Sequence, residues 1–207
     1  MSAPVRPYGG VSAQQRVADR RARRLAAGHE CFGTAGYAAT GVKDICRAAS
    51  LTDRYFYESF RDSRALFLAV FDEITDALFT DVANAAIAVE PVAEVQLRAA
   101  IGTFLRALAD DPRRARIVFG EPAAAGPEAA AHMHATLRRF TELVDATARA
   151  HLPAGTPASV SRVLALSLVG TLERVVVEWQ AGELGLGVEA LTEHCVALYA
   201  ALLAATP

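Results

Sequence analysis

Apolar residues recur three and four apart along nearly the whole of this 207-residue chain, and prolines and glycines cut that rhythm into separate lengths. No segment alternates polar and apolar residues over a useful strand length, so the spacing predicts an all-α fold. Residues 1–13, which hold Pro4, Pro7, Gly9 and Gly10, read as a flexible arm. Helices are then expected over 12–34, 42–49, 53–59, 63–89, 92–109, 112–119, 127–150, 157–181 and 187–204, about nine in all. In the first, Val17, Leu25, Cys31 and Phe32 keep to one face while Arg16, Arg20, Arg23 and Arg24 occupy others. Gly28 inside it costs about 1 kcal/mol relative to Ala, which predicts close approach of a neighbouring helix. Thr52 and Asp62 stand where N-caps belong. Three helical pieces with tight turns, followed by long helices, divide the chain into 14–62 and 63–207.

The composition permits a well-packed core, with 53% hydrophobic residues, 21% charged and 7% aromatic. The formal net charge of −2 hides an asymmetry. Residues 1–64 carry eleven Arg and Lys against six Asp and Glu, a net +5, which leaves −7 for the rest. A basic head on an acidic body suits a protein whose first segment meets a polyanion. No stretch is long and apolar enough for a transmembrane helix, and the N-terminus lacks the apolar region of a signal peptide. A cytoplasmic location without membrane contact is expected. Cys31, Cys46 and Cys195 are odd in number, far apart and set among apolar neighbours, so they read as buried reduced thiols. Neither a metal site nor a cofactor motif is expected. His132 and His134, two apart on a helix, face different ways.

Residues 41–60 have the proportions of a helix-turn-helix. Phe56 and Phe60, four apart, anchor the second helix inward with Val42, Ile45, Cys46, Ala49 and Leu51. Thr52, Asp53, Arg54, Tyr55 and Ser59 are left facing outward. Such donors, acceptors and aromatic edges are the groups that read base edges in the major groove. The Tyr57 hydroxyl, Thr40 and the amides at the Gly41–Val42 helix start are expected against phosphates.

Residues 20–70 resemble the DNA-binding domain of the TetR (tetracycline repressor) family. The likeness runs through Leu25, Ala27, Phe32, Gly36-Tyr37, Thr40, Val42, Asp44-Ile45, Ala48-Ala49, Leu51-Thr52, Phe56-Tyr57, Phe60 and Leu66. It implies a homodimer with a variable C-terminal ligand domain, most often a repressor released from a near-palindromic operator by a small effector. It also implies that Thr52, Asp53, Arg54, Tyr55, Tyr57 and Ser59 meet DNA, with Thr40 and Lys43 at the edge. The chain departs from the family at four places. Ser50 stands where the turn usually has Gly, so an αL serine or a slightly different path is expected. Arg54-Tyr55 replaces the usual Gly-Thr. Ser63 then Arg64 stands where Lys is common, so Arg64 is the candidate for that phosphate contact. Arg24 occupies a place where an aliphatic residue is common.

The last two expected helices are very apolar. Val160, Val163, Leu164, Leu168, Leu172, Val175 and Val176 line one, and Leu191, Cys195, Leu198, Tyr199 and Leu202 line the other. That surface predicts a two-fold four-helix bundle. An effector pocket is expected between this bundle and helix 63–89, lined by Phe71, Phe79, Phe104, Phe119, Met133, Phe140 and Trp179, with Arg174, Glu178 or His134 as polar contacts. Two other readings compete. A helical enzyme lacks support, because no nucleophile–base pair, metal spacing or phosphate-cradling loop is present. A small-molecule-binding or scaffold protein with a purely structural helix-turn-helix would show no steep salt dependence of DNA affinity.

Overall fold

The computed structural model describes residues 13–206, without the side chains of residues 13–17 and 53. The expected arm and the Val17 and Asp53 side chains lie outside that description. Among the described residues there are ten α-helices and no strand. They are α1 (Ala13–Thr34), α2 (Val42–Ala49), α3 (Asp53–Tyr57), α4 (Ser63–Ile87), α5 (Ala93–Asp110), α6 (Pro112–Ala115), α7 (Pro122–Ala125), α8 (Pro127–Arg149), α9 (Ala158–Gln180) and α10 (Val188–Ala204). A π-helical turn, Arg116–Gly120, joins α6 to α7.

The expected helix 112–119 is thus only half α. Its second half widens by one residue per turn, with the Glu121 amide donating to the Arg116 carbonyl. Pro122 then opens α7 at a position where its missing N–H is no loss, and Gly126, at φ 100°, ends it. Asp62 caps α4 as expected, its Oδ1 accepting from the Ala65 amide at 2.7 Å. Thr52 stands at the N-cap of α3 in extended backbone, but its side chain makes no capping bond. Asp111 does cap, accepting from the Arg113 amide, so the Asp110-Asp111 pair belongs to a helix junction.

One core runs from the first helix into the body. Phe32, Ile45, Phe56, Leu66, Phe67 and Phe71 are fully buried and continue into Leu105, Leu108 and Ile117. Each such side chain contributes about 1.5–3 kcal/mol through burial. The α4 helix is the shared member: its first turns meet α1, and its remainder packs on α5 and α8. At the crossing with α1, a Cβ on Gly28 would meet Leu66 and Val70 side chains at 3.1 Å. The close approach that excused a mid-helix glycine is therefore with α4. Cys46 and Cys195 are buried and Cys31 is half-buried, and loss of solvent raises the Cys31 and Cys195 thiols above their ordinary value. No described helix is long and apolar enough to cross a membrane.

Candidate nucleic-acid interface and effector cavity

The turn between α2 and α3 is built on Ser50, which adopts the left-handed conformation at φ 52°, ψ 45°. Its amide donates to the Arg47 carbonyl, and that of Leu51 to the Cys46 carbonyl. Behind the turn, Ile45, Cys46, Ala49, Phe56 and Phe60 are buried, the two phenylalanine rings 6.0 Å apart. In front of it, Lys43, Thr52, Arg54, Tyr55 and Tyr57 are exposed, and Arg64 is exposed at the start of α4. A cationic and phenolic surface therefore projects from a helix pinned from within, the arrangement that admits a reading helix to the major groove.

Three expected contacts change. Thr40 is 7% exposed and its hydroxyl donates to the Gly36 carbonyl at 2.7 Å, so it is spent closing the α1–α2 loop. The Gly41 amide donates to Asp44 Oδ2 at 3.1 Å, which puts a carboxylate where a phosphate was expected. Ser59 is half-buried behind α3 rather than outward, because that helix stops at Tyr57 and the chain turns in. Ser59 Oγ accepts from Arg24 Nη1 at 2.7 Å.

Arg24 is the contact of the reading unit that pattern reading missed. Only 1% exposed, it also donates through Nη2 to the Tyr55 carbonyl. Burial first, and the charge of Arg20 next, hold its guanidinium below the ordinary arginine value. Arginine remains charged even so. The one available signal was the aliphatic residue usual at that place.

A cavity of about 140 Å³ lies within the body. Phe104, Phe119, Met133 and Phe140 line it as expected, Phe104 standing edge-on to both other rings. Six expected residues lie elsewhere, Phe79 among them, its ring 5.4 Å from that of Phe140 and covered by the Arg139 guanidinium. Phe71 is in the core beside Phe67, and His134 faces outward from α8. Arg174 is exposed and pairs with Glu178. Trp179 donates from Nε1 to the Leu186 carbonyl at 2.8 Å and ties down the loop after α9. Along α8 the lining runs from Met133 to Ala148, about 22 Å at 1.5 Å per residue, so the cavity is long and narrow. Its walls are apolar except for few groups, chiefly Glu173, the threonines 136 and 147, and a distal pair in which His151 Nε2 lies 2.7 Å from Gln96 Oε1.

At the opposite end, Val118 and Phe119 of the π turn form the cavity wall. The same turn and its flanks grip the reading unit. Arg113 pairs with Asp111 and with Glu30 of α1, and His29 Nε2 lies 3.3 Å from Asp111. Desolvation lowers the His29 pKa below its ordinary value, outweighing the nearby carboxylate. Arg116 donates to the Thr34 carbonyl, and Glu121 Oε2 accepts from the Tyr37 amide at 2.8 Å.

Comparison with known proteins places this geometry. Residues 25–70 match the family model described as bacterial regulatory proteins, tetR family. The HTH-type transcriptional activator FasR of Mycolicibacterium smegmatis is 29% identical over 167 residues, spanning 79% of this chain and 74% of that protein. Among solved structures, the fatty acid degradation regulator FadR of Bacillus halodurans superposes with a TM-score of 0.75 at 19% identity, covering 90% of this chain and 99% of the other. FadR of Bacillus subtilis, solved in complex with stearoyl-CoA, gives 0.73 at 16% identity, covering 86% and 96%. The matched segment is the one that carries the pinned helix, the turn and the exposed basic face, and residues 25–70 are therefore a DNA-binding domain of the tetR-family type.

Proposed function

We propose that the protein is a homodimeric regulator that docks one α3 helix per half-site of a near-palindromic operator and leaves it when a long, mostly apolar effector fills the body cavity. Lys43, Thr52, Arg54, Tyr55, Tyr57 and Arg64 form the DNA-facing set, with the Asp53 backbone opening the helix they surround. Lys43 and Arg64 are suited to phosphates, and Arg54 to a base edge. The division of labour follows the sequence, with residues 14–62 reading DNA and 63–207 binding effector and partner.

The single observation that carries the effector class is the shape of the cavity. A narrow apolar channel along much of α8 suits a single hydrocarbon chain. The Bacillus subtilis neighbour, with its stearoyl-CoA, supports a fatty acyl thioester as the ligand. Coupling then has a short path. A chain pressing on Val118 and Phe119 bears on the turn whose Arg116 and Glu121 hold the α1–α2 corner. The effector selects a conformer in which the reading helices are misplaced, and its differential affinity sets the size of the response.

Two-fold pairing is supported by an apolar stripe on the outside of the body. Val163 is 60% exposed, Leu166 53% and Leu198 49%, with Val177 and Leu202 beside them and open space over Gly170. The stripe keeps only part of the surface expected, namely Val163, Leu198 and Leu202. Val176, Leu191 and Cys195 are buried within the protomer, and Leu164, Leu168, Leu172 and Tyr199 line the cavity. Positions 163, 166, 170 and 177 keep the three-four spacing of a helical seam.

The experiment is a mobility-shift titration on duplexes selected by the protein, first across salt and then with stearoyl-CoA or acetyl-CoA added. A steep salt slope and release by the stearoyl thioester alone are expected. A shallow slope would return the protein to the scaffold class, and release by acetyl-CoA or by neither would refute the acyl channel. FasR is named an activator, so a reporter assay on the selected operator accompanies the titration to give the sign of regulation.

A further inference from the structure

The reading helix ends two residues early, and a residue of another helix supplies what that ending lacks. In a continuing helix the Ser59 amide would donate to the Tyr55 carbonyl, but here it donates to Phe56 at 3.0 Å. The last carbonyls of a helix have no partner within it. The Tyr55 carbonyl is met instead by Arg24 Nη2, from the middle of α1. Nη1 of the same guanidinium takes Ser59 Oγ, the first side chain past the cap. One turn back on α1, the Arg20 guanidinium lies 5.1 Å from the centre of the Tyr55 ring and 3.7 Å from the Glu58 carboxylate. Two arginines four residues apart thus hold α3 by its backbone, its ring and its C-terminal side chains.

Core filling does not account for this. Arg24 Nε is buried without a hydrogen-bond partner, and a buried cation with an unmet donor is a poor filler where an aliphatic side chain would fit. What arginine adds is direction, through a planar fork of fixed donors. Tyr55, the residue both arginines hold, is itself part of the departure from the usual Gly-Thr pair. The two departures in α1 and α3 are in contact.

We propose that Arg24, assisted by Arg20, is a positioning residue for operator recognition: it caps α3 from α1 and sets the pose from which Arg54 and Tyr55 meet base edges. The inference rests on the assignment of α3 as the DNA-reading helix. It makes α1, which presents neither arginine to a base, a determinant of which sequence is chosen.

The test uses full-length wild type, Arg24→Leu, Arg24→Lys and Arg20→Ala, each selecting duplexes from a random pool, with unfolding midpoint and oligomeric state measured alongside. Arg24→Leu restores the aliphatic type and is expected to fold. It should lose about tenfold or more in affinity for the wild-type sequence, the scale of one charged hydrogen bond. Its base preference should shift or flatten at the positions α3 contacts, while the salt slope stays as in wild type. Arg24→Lys should fall between, and Arg20→Ala should change the same positions to a smaller degree. An arginine with a merely structural role would lower affinity for every sequence in proportion; an unchanged base preference therefore overturns the proposal. If Arg24→Leu does not fold, Ser59→Ala joins Arg20→Ala as the test, and unaltered preference in both overturns it equally. A wild type that selects no sequence at all removes the DNA-reading assignment and this inference together, whereas identical motifs from wild type and variants remove the inference alone.

Discussion

Ser50 is the one non-glycine residue at positive φ among those described, and its position in the reading unit gives the strain a use. The serine was visible in the sequence as a departure from glycine, and both the left-handed backbone and the tight turn follow from that. Left-handed backbone costs a non-glycine residue about 1–2 kcal/mol, while glycine there concedes roughly 0.4–1 kcal/mol to the freer unfolded chain. Ser50→Gly should therefore stabilise the protein by about 0.5 kcal/mol, raising Tm by roughly 1–2 °C. Thermal unfolding by circular dichroism checks the sign, and a fall in Tm would mean that the serine hydroxyl holds the turn. Arg24 shows the opposite case. The sequence marked it as unusual, but its partners lie 31 and 35 residues away, and no local pattern reports a contact at that range. Ser59 was misassigned for the same reason. Helical phase put it outside, whereas the helix had already ended.

At the scale of elements, caps and breakers were legible and changes of helical type were not. Asp62, Pro91 and the Gly126-Pro127 step mark real boundaries, because each acts on the backbone within a few residues of itself. The π turn carries no such mark. It keeps apolar spacing over 115–119, and five-residue hydrogen-bond steps such as that from the Glu121 amide to the Arg116 carbonyl distinguish it from the α-helix expected there. Two glycines of α1 separate two kinds of helix contact. A methyl on Gly28 meets the ends of Leu66 and Val70 side chains at 3.1 Å, which can yield. A methyl on Gly33 meets Arg113 Cβ at 2.4 Å and its Cα at 3.2 Å, which cannot yield without moving α6. Gly28→Ala should be nearly neutral, since about 1 kcal/mol of helix propensity offsets mild crowding. Gly33→Ala gains the same propensity but should lose about 1–3 kcal/mol to overpacking. It should also loosen effector-induced release, because the displaced α6 leads directly into the cavity wall. Denaturant titration of both variants tests the contrast, and equal stabilities would show that the α1–α6 contact is soft.

At the scale of the whole molecule, the apolar excess of the last two helices was plain, yet its allocation was not. Periodicity shows that α9 and α10 have more apolar surface than one neighbour covers. It does not say which part faces the protomer core, which the cavity and which the outside. The three-way split places Val176 and Leu191 in the core, Leu164, Leu168 and Leu172 on the cavity, and Val163, Leu166 and Leu198 in the open. In the proposed pairing, that last group decides the assembly. Reading successive major grooves on one face of a duplex requires two heads about 34–36 Å apart, and one protomer supplies a single α3. Leu166→Glu adds a charge at the centre of the stripe without touching the protomer core, so the monomer should remain folded while the dimer separates. Sedimentation should then show one chain per particle. Operator affinity should fall far more than the loss of one contact explains, because the second half-site loses its tether to the first. A Leu166→Glu protein that sediments as a dimer, or a monomer that still binds the full operator as wild type does, would place the pairing surface elsewhere and detach the stripe from DNA recognition.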